Sequence, residues 1–161
     1  MRLILLFLIP FIFCCSTDKD DAENIDEAIE MTQTTGKASV TKVEVSGDPN
    51  AYTFNVTILS PDTGCEQYAD WWEVIDFDGN LIYRRLLAHS HVEKQPFTRS
   101  GGAIDISEMT EVYIRVHMNT SGYASSIQKG SVINGFTNSE LDSDFATALQ
   151  EVTPLPEGCA F

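Results

Sequence analysis

The fold is indicated by residues 52–58, which read YTFNVTI. The first, third, fifth and seventh residues of this segment are apolar, and the residues between them are polar. Side chains of a β-strand point alternately to its two faces, so this spacing predicts a strand with one face in a core and the other in water. The preceding segment GDPN, at residues 47–50, has the composition of a turn.

The same period of two recurs along the following hundred residues. Asp78-Gly79 lies between two such segments and is a strong hairpin signal. The pattern predicts seven strands, at residues 39–46, 52–58, 70–77, 80–87, 103–106, 111–118 and 125–134. Residues 89–102 are predicted as a loop, with Gly101-Gly102 as a turn. Seven short strands at this spacing predict an all-β fold, a seven-stranded Greek-key β-sandwich of residues 38–136.

The last part of the chain, residues 137–161, changes to a period typical of helices. Leu141, Phe145 and Leu149 recur every four residues, and a serine followed three residues later by an aspartate resembles an N-terminal cap. We therefore expect a short amphipathic C-terminal helix over residues 139–150, packed on the sandwich. The two prolines that follow would end it.

Across residues 38–136 this pattern resembles fibronectin type III and immunoglobulin-like domains. Residues 111–116, EVYIRV, are similar to the penultimate strand of such domains, and Trp71-Trp72 lies where their third strand carries a core tryptophan. Residues 68–74 and 89–102 also resemble segments of uncharacterised exported bacterial proteins. That second resemblance implies no particular function.

The first residues have the pattern of an export signal. Arg2 precedes an apolar run that is too short to span a bilayer and suits the hydrophobic region of a signal peptide. The run ends in Cys14-Cys15, and lipoprotein signal peptides end similarly, with a small residue before the lipidated cysteine. Because bulky Phe13 precedes Cys14, we predict a lipoprotein signal peptide of residues 1–14 and acylation of Cys15, for example with palmitate. The alternative is an ordinary secretory signal with incidental cysteines.

Residues 15–37 are predicted to be the lipidated cysteine and an acidic tether, which is poor in large apolar residues. Residues 16–21, STDKDD, resemble the acidic signal that follows the lipidated cysteine in surface-exposed lipoproteins of the Bacteroidetes. That resemblance implies an outer-membrane lipoprotein exposed at the cell surface. A solvated spacer is the plainer alternative.

Charge and cysteines limit the partners and the compartment. The formal net charge is −14. Nucleic acid is not an expected partner, because phosphate binding needs a basic surface. Export exposes the chain to oxidising conditions, where the two cysteines left after Cys15, Cys65 and Cys159, are expected to form a disulfide. Metal ligation by a free thiol is the alternative.

Three histidines are candidates for a copper or zinc site. His89 and His91 are two residues apart and face the same way on a strand. His117, near the end of another strand, would supply a third imidazole. The alternative is that these histidines bond to loop backbone and hold the segment that follows His89.

Aromatic residues of the third strand are candidates for ligand binding. Adjacent tryptophans on a strand face opposite sides, so one of Trp71 and Trp72 can lie in the core while the other contacts solvent or a partner. An exposed tryptophan beside Tyr68 and Asp70 would stack on a sugar ring, with the carboxylate bonding its hydroxyls. The alternative is that the second tryptophan is covered by the C-terminal helix or the disulfide.

Arginine side chains carry most of the domain's positive charge. Arg85 and Arg115 share strand faces with tyrosines and are candidates to bind a carboxylate or sulfate. The alternative is that the arginines pair with acids on neighbouring strands, each pair contributing about 0.2–1 kcal/mol. The residues that would take part are Arg84, Arg85, Arg99 and Arg115, with Asp70, Glu73, Asp76 and Glu111.

The sequence contains no Gly-x-Ser-x-Gly motif, no phosphate-binding loop and no dinucleotide fingerprint. We therefore expect no enzyme and no resident cofactor. The leading hypothesis is a non-catalytic, lipid-anchored module of the cell envelope that binds a glycan or an envelope protein. The alternative is a lipoprotein that binds copper or zinc through its histidines.

Overall fold

The computed structural model describes residues 37–160, which fold as two antiparallel β-sheets packed face to face. The predicted signal peptide, Cys15 and almost all of the tether lie outside the described residues. Between residues 37 and 160, no helix has the length and apolar character needed to cross a bilayer. The predicted β-sandwich is confirmed.

Nine strands form within the described residues, where seven were predicted. They are β1 Ser39–Ser46, β2 Tyr52–Leu59, β3 Ala69–Ile75, β4 Leu81–Leu86, β5 Phe97–Ile104, β6 Val112–Met118, β7 Gly122–Tyr123, β8 Ser126–Ser131 and β9 Gly135–Glu140. The small sheet has the order β1-β2-β5, and the large sheet the order β4-β3-β6-β8-β9, with β7 pairing β6. The chain therefore changes sheet between β2 and β3, between β4 and β5, and between β5 and β6.

The core lies between the sheets and comes from the alternation that the sequence shows. From β2, Phe54, Val56 and Ile58 are fully buried. They pack with Trp72 of β3 and with alternate residues of β6 in one apolar cluster. Removing such side chains from water, at about 25 cal/mol per Å² of apolar area, is the main favourable contribution to the fold.

Strand β5 corrects the prediction of a loop over residues 89–102, because it begins at Phe97. It pairs with β2 in antiparallel register, from Phe97 opposite Ile58 to Ile104 opposite Tyr52. Gly101-Gly102 lies inside this pairing and not in a turn. A side chain at Gly101 would come within 2.8 Å of ring atoms of Trp72 and Tyr83. Glycine is needed here for close packing, so it does not signal a change of direction.

The predicted helix over residues 139–150 is wrong in its extent and type. Ser139 pairs with Ile127, since β9 extends the large sheet to Glu140. After a turn, only Thr147–Glu151 is helical, and it is a short 3-10 helix. Carbonyl groups in this helix and on both sides of it accept hydrogen bonds from arginine side chains, so they are satisfied without an α-helix.

Hydrogen bonds between segments that are distant in sequence mark the two ends of the sandwich. At the proximal end, where the chain enters β1, Lys37 Nζ donates to Tyr123 O at 2.7 Å. At the distal end, the loops of residues 47–51, 105–111 and 132–134 meet. Asn50 N donates to Ile106 O at 2.9 Å, and Ile133 N donates to Glu108 O at 3.0 Å.

Candidate functional site

The outer face of the large sheet carries a buried cluster of charged residues. Glu73 of β3 is paired in register with Arg84 of β4 and with Arg115 of β6. Arg84 Nη2 lies 2.6 Å from Glu73 Oε2, and Arg115 Nε donates to Glu73 Oε1 at 2.8 Å. Trp71 Nε1 also donates to this carboxylate, at 3.1 Å. All three charged side chains are 1% exposed or less.

The C-terminal tail, residues 141–160, covers this cluster. Arg115 Nη1 donates to Phe145 O at 2.6 Å, and Arg84 Nη2 donates to Leu149 O at 2.7 Å. Further carbonyl groups of the tail accept from the same two guanidinium groups, at Ala146, Val152 and Pro154. We call the cluster and the tail that it holds the outer layer.

The electrostatics of the outer layer explain why the tail binds there. Two guanidinium groups and one carboxylate leave one formal positive charge, and carbonyl oxygens of the tail point their negative ends at it. The Arg115 guanidinium also lies 3.4 Å from the centroid of the Tyr123 ring. Burial, together with the nearby Glu73 carboxylate, raises the pKa of Tyr123 to about 12, so its hydroxyl keeps its proton at neutral pH.

Trp71 lies in the outer layer, between two flat groups. His117 of β6 stacks on it with ring centroids 3.6 Å apart, and the Arg84 guanidinium from β4 is 4.6 Å from the indole centroid. Because β4 and β6 flank β3 on opposite sides, both faces of the indole are covered. The predicted stacking of a sugar on the face of Trp71 is therefore blocked. The alternative expected the C-terminal helix or the disulfide to cover the indole, whereas His117 and Arg84 cover its two faces.

Three of the predicted ligand-binding residues border one open cleft of about 410 Å³ at the proximal end. Asp70 and Trp71 line it from β3 and Tyr68 from the residue before this strand, while the tail and the disulfide line it from the other side. Asp70 Oδ1 lies 2.7 Å from His117 Nδ1. The other lining residues are Cys65, Asn119, Gln150, Leu155, Pro156, Gly158 and Cys159.

The remaining predicted ligand-binding residues lie elsewhere. Trp72 is fully buried between the sheets. Arg85 is exposed, and it donates to Ser100 O at 3.1 Å, which bridges the open side between β4 and β5. Arg115 is buried in the outer layer. The structure therefore does not bring Arg85 and Arg115 together as a basic patch.

The predicted disulfide is confirmed, and the predicted metal site is wrong. Cys65 and Cys159 are bonded, which ties the end of the tail to the loop before β3. His89 and His91 have ring centroids 4.7 Å apart, but His91 stacks on Phe97. His117 instead stacks on Trp71. Across residues 37–160, no group of three His, Cys, Asp or Glu side chains is arranged to hold a metal ion.

The loop around His91 is held through the main chain of His91, whereas the alternative expected the imidazole to bond to loop backbone. The backbone N–H of His91 donates to Asp62 Oδ2 at 2.8 Å, and the backbone carbonyl of His91 accepts from the Gln95 side chain. The Arg99 guanidinium donates to His91 Nε2. Burial, followed by the positive charge of Arg99, lowers the pKa of His91 from 6.5 to about 4. The imidazole is therefore neutral at physiological pH.

Sequence reasoning named Glu73, Arg84 and Arg115 as cross-strand partners but treated them as weak surface pairs. The signal for burial lies in β3 itself, where all seven residues are buried. A strand covered on one face alternates apolar and polar residues, whereas Glu73 is the one charged residue in the middle of the apolar run WWEVI. A charge in such a run needs a buried partner.

The described residues thus define an all-β sandwich whose outer face is closed by a disulfide-linked tail. The chain is similar to a protein of Halomicrobium mukohataei named "Putative lipoprotein", with 37% identity over 106 residues. The match covers 65% of this chain and 52% of the relative, so it spans about half the relative's length. No family model matches the chain. No solved structure matches it.

Proposed function

We propose that this chain is a non-catalytic, lipid-anchored module of the cell envelope that binds another envelope molecule. The observation that carries the proposal is that the sandwich has two different ends. The chain enters at the proximal end, and the distal loops lie at the opposite end. A lipid attached through the tether would therefore present the distal end outward. The distant relative named as a lipoprotein supports the anchor.

The finer parts of the proposal follow from the N-terminal sequence. Residues 1–14 act as the signal peptide, and Cys15 becomes the acylated N-terminus. The acidic residues that follow direct the protein to the outer surface of the outer membrane. The strand order β1-β2-β5 against β4-β3-β6-β8 supports a fibronectin type III-like topology, because sandwiches of this class likewise place the first, second and fifth strands in one sheet and the third and sixth in the other.

The buried charges support a non-catalytic role. Glu73, Arg84 and Arg115 bond to one another and to tail backbone, so their function is to hold the C-terminal segment. The outer layer therefore has a structural role, and exposed residues elsewhere on the surface bind the partner.

Mass spectrometry of the mature protein tests the anchor. We expect a polypeptide that begins at Cys15 and carries acyl chains. Cys15→Ser should abolish the acyl mass and release the protein from the membrane fraction, whereas Cys14→Ser should leave both unchanged. Protease treatment of intact cells tests surface exposure, and digestion only after lysis would contradict it. An unacylated mature terminus would contradict the proposal.

A glycan is a second candidate ligand, because Tyr68, Asp70 and Trp71 meet at one cleft with the side chains of Asn119 and Gln150. A saccharide there would bond to polar groups at the cleft edge, since both faces of Trp71 are covered. A glycan array probed with the mature protein tests this. A hit whose binding is unchanged by Gln150→Ala, with Asn134→Ala in an exposed turn as the control, would place the sugar elsewhere.

A further inference from the structure

The distal end exposes apolar side chains that the fold does not use. Met109 is 72% exposed and Ile133 is 58% exposed. Their loops are joined by the hydrogen bond from Ile133 N to Glu108 O, so the two residues belong to one surface. Exposed apolar residues that cluster within a polar rim are typical of interaction sites.

Acidic residues are concentrated in the loops that carry these side chains. The loops of residues 47–51, 105–111 and 132–134 contain four carboxylates and no lysine or arginine. Burial raises the pKa of the Tyr52 hydroxyl, and two of these carboxylates, Glu108 and Asp48, lie near enough to Tyr52 that their charges raise this pKa further. The four are Asp48, Asp105, Glu108 and Glu111, and all are exposed.

We propose that the distal end docks a protein segment that combines lysine or arginine with apolar side chains. The apolar part would cover Met109 and Ile133, and the cations would pair with the acidic rim. This deepens the proposed function and rests on it, because anchoring at the proximal end is what turns the distal loops toward a partner.

Charge complementarity selects this occupant over the other candidates. A second copy would bring the same acidic loops, in a chain of net charge −14, so self-association through this end is opposed by repulsion. An anionic lipid surface is disfavoured for the same reason. A cationic segment instead gains attraction over a distance of about 10 Å at 0.1 M salt.

The test uses the mature protein purified from membranes in a neutral detergent, with its N-terminal mass recorded. The probe is a fluorescein-labelled peptide in which lysines alternate with leucines. Two further peptides replace lysine by glutamate or leucine by serine. We expect anisotropy to report binding of the first peptide, with affinity falling steeply as salt is raised, and much weaker binding of the other two.

Matched double variants locate the binding. Glu108→Gln with Met109→Ser should weaken the lysine–leucine peptide about tenfold, and Ile133→Ser should weaken it severalfold. The control is Val92→Ser with Glu93→Gln, which makes the same kinds of change in an exposed loop at the proximal end. It should leave the affinity unchanged. The acidic tether attracts cations equally in every variant, so it cannot produce this difference.

Equal affinity in the distal and control variants would overturn the docking proposal. So would equal binding of the serine and leucine peptides, because it would remove the apolar contribution. Sedimentation that shows a dimer broken by Ile133→Ser would identify a second copy as the occupant and would also overturn it. An unacylated terminus with intact distal binding would contradict the anchor alone, so the two proposals fail separately.

Discussion

The two faces of β3 are both buried, but they are buried in opposite ways. The inner face contributes Trp72 and Val74 to an apolar core between the sheets. The outer face contributes Trp71 and Glu73 to a layer in which charges and backbone carbonyls satisfy one another under the tail. One strand therefore supports apolar packing, which has no preferred direction, on one side. On the other side it supports ion pairs and hydrogen bonds, which depend on direction.

This difference determines how each layer should respond to mutation. In the apolar core, a changed side chain costs transfer and packing energy in proportion to its size. In the outer layer, each charge depends on its partners, because removal of one leaves the others buried and unpaired. The outer layer should therefore be the more brittle of the two, although it is the smaller.

The largest effect is expected for Glu73→Ala in a soluble form that begins at Ser16. Two buried guanidinium groups would lose the carboxylate that pairs with both of them, which should lower the free energy of unfolding by about 3–5 kcal/mol. Urea denaturation measures this. The control Glu44→Ala removes an exposed partner of Lys42 and should cost less than about 1 kcal/mol. Similar losses in the two variants would show that the outer layer is not brittle.

Loss of the disulfide should have the next largest effect. Cys65 and Cys159 are 94 residues apart, and replacing both by serine should cost about 2–4 kcal/mol, because the unfolded chain regains freedom. The loosening should begin in the tail, so amides of Leu141 and Leu149 should exchange with solvent before those of β2. Uniform acceleration in both layers would contradict a separate outer layer.

A change in the apolar core should be milder. Gly101→Ala places a methyl group within 2.8 Å of the Trp72 and Tyr83 rings, and such overpacking costs about 1–3 kcal/mol. Ala103→Ser, at an exposed site on the same strand, is the control and should be nearly neutral. Urea midpoints compare the two. A loss larger than that of Glu73→Ala would reverse the order proposed for the two layers.

The same contrast explains what the sequence could predict. The core was visible because alternation in β2 and β6 reports burial of one face directly. The outer layer was not, because its partners are backbone carbonyls of a tail whose side chains show a helical period at Leu141, Phe145 and Leu149. Every residue has a backbone carbonyl, so the sequence does not show which carbonyls accept hydrogen bonds from arginine. The arginines were therefore interpreted as surface pairs.

A third way to bury a polar group is to keep it neutral, as at His91. Its pKa of about 4 lies below the ordinary 6.5, because burial and Arg99 disfavour the charged ring. The unfolded chain therefore binds a proton more readily, so the free energy of unfolding should fall as pH drops from 6.5 toward 4 and should not respond near neutrality.

Proton NMR of the His91 ring in the soluble form gives the midpoint directly. His91→Gln should remove this part of the acid sensitivity, while Glu140→Gln, at an exposed site on β9, serves as the control. A His91 midpoint near 6.5 would mean that the ring tolerates a charge beside Arg99. His91 would then be a second buried group that carries charge, like the arginines of the outer layer, and not a group that is buried in its neutral form.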